Sequence, residues 1–241
     1  DFLASNKFVN LIPQTGIIRR IKEVQLFKQF NGETFRGLPP MLADSLPDLF
    51  GNIVFKAWLE NNDKNFSSIS VLEQLAYVAE RGMGAFEFKP KKEIPLSTTI
   101  DLEEIVEVLK LVMDLKKTTS SEKLNHHSLL TIFKIGTSAG GARPKILISE
   151  NKEDGKIIPG DITYSNDYNH FLVKLNLDDE SGYNREMIEY SYYLTCLHCG
   201  INMMDSKMIE NKHFATKRFD RINGEKQHVL TVSGLTGWDF K

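Results

Sequence analysis

The 241-residue chain is short of most features that would settle its chemistry at once. Its two cysteines, Cys196 and Cys199, form a single C-x-x-C. A zinc site needs two further ligands, so the pair reads as reduced thiols buried in a helix, with redox chemistry as the alternative. The six histidines show no H-x-x-x-H or related ligand spacing, which argues against a metalloenzyme and for no bound metal in this chain. There is no G-x-S-x-G elbow, so no Ser-His-Asp hydrolase can be argued. No apolar run approaches the ~20 residues of a membrane span and no signal peptide opens the chain, so no membrane partner and a cytoplasmic location are expected. Neither sign of charge dominates. The 30 Lys and Arg stand against 32 Asp and Glu, a net charge of −2, which gives no general attraction to nucleic acid or anionic membrane. Clustered arginines and a recognition-helix pattern are also missing, so no direct nucleic-acid binding is expected. No internal repeat is visible, which speaks against solenoids and propellers.

What is present is enough for one large or two medium domains with a core, since 41% of residues are hydrophobic. Residues 16–27 are β-branched and partly alternating, a strand pattern. A helix follows, capped by Asp44 or Ser45, with Pro47 in its opening turn and Leu49, Phe50, Ile53, Val54, Ala57 and Trp58 on one stripe. Ser70 caps a second helix that buries Leu72, Leu75, Val78 and Ala79 and stops at Gly82. The proline- and lysine-rich residues 88–97 read as a connector, with a domain boundary near residue 95. Beyond it, Thr98 and Asp101 are spaced like a capping box for a helix over 101–117. Strands are expected at 128–133, 145–148, 170–175, 214–219 and 228–232. A helix over 183–199 interrupts them, with Met187, Ile188, Tyr192, Leu194 and Leu197 available for packing and Gly200 as its stop. The class is α+β: a small mixed N-terminal segment, then an antiparallel sheet with one packed helix.

The segment from Lys134 to Lys145 carries the most chemistry. It sets glycines, hydroxyls and cations between two apolar runs. Glycines let backbone N–H groups approach a ligand that a Cβ would block, while Ser, Thr, Arg and Lys add hydrogen bonds and positive charge. That is a composition for holding phosphate, although it is neither a Walker loop nor G-x-G-x-x-G, and a glycine-rich hairpin turn would share it. A second cation, Lys174, stands among Phe171, Leu172, Val173 and Leu175, and an ammonium in an apolar strand needs a partner if buried.

Four stretches in order carry a family resemblance. They are Phe35-Arg-Gly-Leu-Pro-Pro-Met-Leu-Ala-Asp-Ser-Leu-Pro-Asp48 with Phe50-Gly51, then Arg81-Gly-Met-Gly-Ala-Phe-Glu-Phe-Lys-Pro90, the glycine segment itself, and Ala215-Thr-Lys-Arg-Phe-Asp-Arg221. In them the chain resembles the HipA family of bacterial serine/threonine kinases, toxins of toxin–antitoxin pairs. The resemblance implies a HipA N-terminal subdomain over 1–95, its start truncated, and a kinase-like N-lobe over 96–241, with the helical C-lobe absent from this chain. It implies ATP as ligand, with Mg²⁺ held by that C-lobe, so that no catalytic residue or metal ligand lies in this chain.

By the same resemblance, Gly140, Gly141, Ala142, Arg143, Pro144 and Lys145 wrap the phosphates, although Arg143-Pro144 replaces the Gln-Glu of some relatives. Lys174 pairs with the α- and β-phosphates, held by Glu189, with Glu186 in reserve. Lys217, Arg218 and Phe219 form the hinge, where backbone groups take adenine and Phe219 fills an apolar slot, while Asp220 and Arg221 make a structural pair. Ser138 matches a serine that the family phosphorylates on itself, expelling the loop. The implied partners are a protein substrate such as an aminoacyl-tRNA synthetase and a DNA-binding antitoxin. A non-catalytic interaction module of the same fold is the alternative.

Overall fold

The computed structural model describes residues 30, 32–84, 86–94, 100–114, 126–137, 140–161, 165–177 and 182–239. The strand expected over 16–27 and the residue Ser138 lie outside them. Within them run α1 (Pro40–Ala43), α2 (Leu49–Glu60), a 3-10 turn (Phe66–Ser68), α3 (Val71–Val78), α4 (Leu102–Asp114) and α5 (His126–Gly136). There follow β1 (Lys145–Asn151), β2 (Ile157–Pro159), β3 (Tyr168–Lys174), α6 (Arg185–His198), β4 (Ser206–Ile209), β5 (His213–Lys217), β6 (Arg221–Ile222), β7 (Glu225–Lys226) and α7 (Val232–Thr236). The architecture is α+β, and its main sheet is fully antiparallel in the order β2-β1-β3-β5-β4.

Local rules explain most of the helices. Ser70 closes a full capping box with Glu73 at the start of α3, and Asp101 caps α4 by accepting from the Glu104 N–H at 3.0 Å. Two ends differ from expectation. The cap of α2 is Asp48 rather than Asp44 or Ser45, and α3 stops at Ala79, which turns at φ 51, three residues before Gly82. That turn lets the Phe88 N–H reach the Ala79 carbonyl at 3.1 Å, a tertiary bond that overrides the local stop signal.

Two expected strands are corrected. Residues 128–133 form the middle of α5, where Thr131 donates to the carbonyl four residues back, as Thr137 does just past the helix end. Leu129, Leu130, Ile132, Phe133 and Ile135 are all buried, so the run has no polar face to reveal its helical period. Residues 228–232 form no strand either. The chain has already reversed through Asn223 (φ 50) and Gly224 (φ 79) in the β6–β7 hairpin, a turn that Asn-Gly favours, and then enters α7.

One hydrophobic core runs through α2, α3, α4, α5, β1, β3 and β5. Its aromatic centre is Trp58 stacked on Phe133, with centroids 4.3 Å apart and planes at 7°, flanked by Phe55 and Tyr77. Helix α5 packs on α2 and β1, while α6 packs on β4 and β5. Helix α6 buries only Glu186; Met187, Ile188, Tyr192, Leu194 and Leu197, expected to pack, are exposed. The same exposure of its C-terminal half leaves Cys196 only half-buried and Cys199 exposed, both as free thiols. Among the described residues no helix is long and apolar enough to cross a membrane.

Candidate functional site

The glycine segment joins a helix to a strand, not two strands, and both its ends are seated on the first turn of α2. At its start, an added Cβ on Gly51 would lie 2.3 Å from the Thr137 carbonyl oxygen, so only glycine permits this approach. At its other end, the Asp48 cap makes no side-chain bond to its own helix. Its Oδ2 instead accepts from the Gly141 N–H at 2.9 Å, and the Gly141 carbonyl accepts from the Phe50 N–H at 3.0 Å. Gly141 holds φ +97, a conformation that side chains with a Cβ rarely adopt. Gly140 and Ala142 are exposed at the crest, and Arg143 and Pro144 are half-buried.

Lys145 opens β1 and is 5% exposed. Its Nζ donates to the Gly140 carbonyl at 2.8 Å and sits 5.9 Å from the centroid of the Phe50 ring. Antiparallel register sets Lys145 directly opposite Lys174 at the end of β3, which puts the two side chains on one face of the sheet. Burial, then the Lys174 charge, lowers the Lys145 ammonium to a pKa of about 8, against the opposite pull of Asp48 and Glu189. Lys174 Nζ is 2.5 Å from Glu189 Oε2 on α6, and both side chains are about one-third exposed. Glu186, one turn earlier, is buried elsewhere.

The three residues expected at a hinge, Lys217, Arg218 and Phe219, sit differently from one another. The Lys217 N–H donates to the Asp205 carbonyl and the Arg218 N–H to the His170 carbonyl, each at 2.8 Å, so both groups are engaged within the fold. The Phe219 ring is 54% exposed instead of filling a slot. Arg218 points inward and grips Asp220 through two bonds of 2.8 Å. Asp220 also accepts from Arg221 at 2.8 Å and from the Gly84 N–H at 2.9 Å, while Arg221 donates to the Gly82 and Gly84 carbonyls. Burial alone would raise this carboxyl; the Arg218 hydrogen bonds, the two guanidinium charges and the Gly84 amide outweigh it and hold the pKa below the usual range. The second and fourth stretches of the sequence thus interlock.

A cleft of about 890 Å³ lies between these parts, lined among others by Arg36, Asp48, Leu49, Gly140, Phe219 and Leu230. Lys145, Lys174 and Glu189 stand outside its lining. Sequence reasoning missed Asp48 and Asp44, whose role is tertiary. Asp44 accepts from the Thr231 N–H at 2.9 Å and from its hydroxyl at 2.5 Å, tying the turn before α7 to α1. An Asp before a helix signals a cap, but nothing in a sequence says that the cap will be filled by a loop 93 residues away.

The fit to an anionic ligand can be judged from the donors. Two ammoniums share one sheet face beside a glycine turn, one of them buried and destabilised by the other, and a polyphosphate would relieve that repulsion. Among the described residues no group of three or more His, Cys, Asp or Glu is placed to hold a metal ion.

These elements define an α+β protein in which the first turn of α2 seats a glycine loop and a strand lysine is paired with a helix glutamate. The HipA N-terminal domain description matches residues 8–89, and the HipA-like C-terminal domain description matches residues 137–241. The chain belongs to the HipA-like family, a kinase-type family of toxin–antitoxin systems. No curated protein and no solved structure matches it.

Proposed function

We propose that this chain is the nucleotide-binding part of an ATP-dependent serine/threonine protein kinase of the toxin–antitoxin type. The observation that carries the reading is the Lys174–Glu189 ion pair standing in register with Lys145 beside the glycine loop. In kinases a strand lysine held by a helix glutamate orients the α- and β-phosphates. Here Glu189 would fix the Lys174 ammonium, Lys145 would neutralise phosphate from the adjacent strand, and the loop amides would approach the phosphate oxygens. Bound ATP supplies the transferable γ-phosphoryl group. The adenine would lie near Phe219, and phosphorylation of Ser138 would add negative charge that repels bound ATP. A protein serine is the proposed acceptor, an aminoacyl-tRNA synthetase the proposed substrate class and a DNA-binding antitoxin the proposed partner.

The test is ATP binding to the full-length protein by calorimetry, with intact mass measured before and after incubation with magnesium and ATP. Binding that Lys174→Ala weakens at least tenfold, together with a gain of one phosphate, supports the kinase reading. Absence of ATP binding in the parent protein would leave the non-catalytic interaction module in its place.

A further inference from the structure

The first turn of α2 does something unusual for a helix start. An N-cap carboxylate ordinarily accepts from the N–H groups of its own first turn. Here the Gly141 peptide is inserted between the two: its N–H donates to Asp48 and its carbonyl takes the Phe50 N–H that the cap would have served. The result is a reciprocal cap closed across 93 residues of sequence. The neighbouring contacts reinforce it. Gly51 touches Thr137 at the other end of the loop, and the Lys145 ammonium lies 3.1 Å from where a Gly141 Cβ would stand. Four residues before Asp48, Asp44 holds Thr231 beyond the hinge, with no room for a Cβ on Gly234, which would fall 2.7 Å from its carboxyl carbon. One short segment of the N-terminal portion therefore grips both the glycine loop and the chain that follows the hinge.

We propose that Asp48 is a positioning residue for the glycine loop, so that the N-terminal portion of the chain sets the loop's affinity for phosphate. This rests on the nucleotide reading given above but adds a residue and a direction of control to it. Asp48 acts through Gly141 and need not touch the ligand. The alternative, that its carboxylate competes with phosphate for the Gly141 N–H and the Lys145 ammonium, makes the opposite prediction. The double grip on the Gly141 peptide favours positioning, since the Phe50 bond to the carbonyl would have no part in competition.

The experiment compares the parent full-length protein with Asp48→Ala and Asp48→Asn, measuring affinity for ATP and for AMP, and amide hydrogen exchange over residues 140–145. Positioning predicts that Asp48→Ala weakens ATP on the order of tenfold while AMP changes little, because the lost bond orders only the phosphate-binding turn. Asp48→Asn keeps a carbonyl acceptor for the Gly141 N–H and should restore most of the ATP affinity. The loop amides should exchange faster in Asp48→Ala and near the parent rate in Asp48→Asn. Tighter ATP binding in both variants would establish competition and overturn the proposal. An equal loss for ATP and AMP, with no rescue by Asn, would reduce Asp48 to a folding role and overturn it too. If the parent protein binds no ATP, the nucleotide reading fails by itself. The exchange data then still decide whether Asp48 holds the loop, and unchanged exchange in Asp48→Ala would refute that as well.

Discussion

Lys145 and Lys174 face each other directly across β1 and β3, two ammonium groups in register on one face of an antiparallel sheet. The arrangement is unfavourable without an anion, because like charges opposite each other repel and Lys145 is also buried. Its pKa is lowered from the ordinary 10.5 to about 8. The unfolded chain therefore holds this proton over a range where the folded chain has released it. Stability should rise with pH from about 8 towards 10.5 as the penalty on the folded ammonium is relieved.

Ligand binding should run the other way. A polyphosphate favours the charged amine, so ATP binding near pH 8 should take up a proton and should weaken as pH rises further. Calorimetry in two buffers of different ionisation enthalpy reads the uptake directly. Equal heats in both buffers, or an uptake that survives Lys145→Met, would rule out this lysine as the source.

The Lys174–Glu189 pair should matter more to binding than to stability. Both side chains are about one-third exposed, and such pairs contribute only ~0–1 kcal/mol even with good geometry. Glu189→Gln should lower the melting temperature by no more than a few degrees yet weaken ATP binding about tenfold, by freeing the lysine from its orientation. A double-mutant cycle with Lys174→Ala should show strongly non-additive losses in affinity. Additive losses would mean that the two residues act independently.

How much of this was legible in the sequence depended on the range of the cause. The Ser70 cap lies directly before its helix, and the sequence displays such a signal openly. The box expected between Thr98 and Asp101 was placed one step early: Thr98 lies outside the described residues, and Asp101 itself accepts from the Glu104 N–H. Lys174 and Glu189 could be matched because a known pattern joins them. Helix α5 was misread because its apolar residues are buried on every side, which erases the period that separates helix from strand. The 228–232 strand was misread although Asn223-Gly224 announced a hairpin just before it. The links from Asp48 to Gly141, Asp44 to Thr231 and Asp220 to Gly84 were hidden for a different reason. Each joins an acid that looks like a local cap or surface charge to a backbone group far away in the chain.

Asp220 should be the most costly carboxylate to remove. It neutralises Arg218 and Arg221, whose side chains are 1% and 0% exposed, so Asp220→Ala leaves two buried cations with too few partners. Breaking a buried pair in this way costs about 3–5 kcal/mol. Because its pKa is lowered in the folded state, its contribution is complete above the ordinary aspartate value and disappears as pH falls through the folded value. Chemical denaturation at pH 7 and in acid should show the parent losing this advantage over Asp220→Ala as carboxylates protonate. A variant within 1 kcal/mol of the parent at pH 7 would contradict the network described here.

Gly51→Ala sets two known effects against each other. Alanine is favoured over glycine within a helix by about 1 kcal/mol, so the change should stabilise α2 if nothing else intervenes. The new methyl group, however, would sit 2.3 Å from the Thr137 carbonyl oxygen and 3.0 Å from its carbon, both backbone atoms that cannot rotate away. Relieving that contact requires α2 and the end of α5 to separate, and overpacking of this kind costs roughly 1–3 kcal/mol or more. The clash should win. Thermal melting is expected to fall by about 5 °C, and ATP binding should weaken beyond what the melting shift explains, since Thr137 leads into the glycine loop. A higher melting temperature with unchanged binding would show that the two helices can part freely and that the seat of the loop on α2 is not rigid.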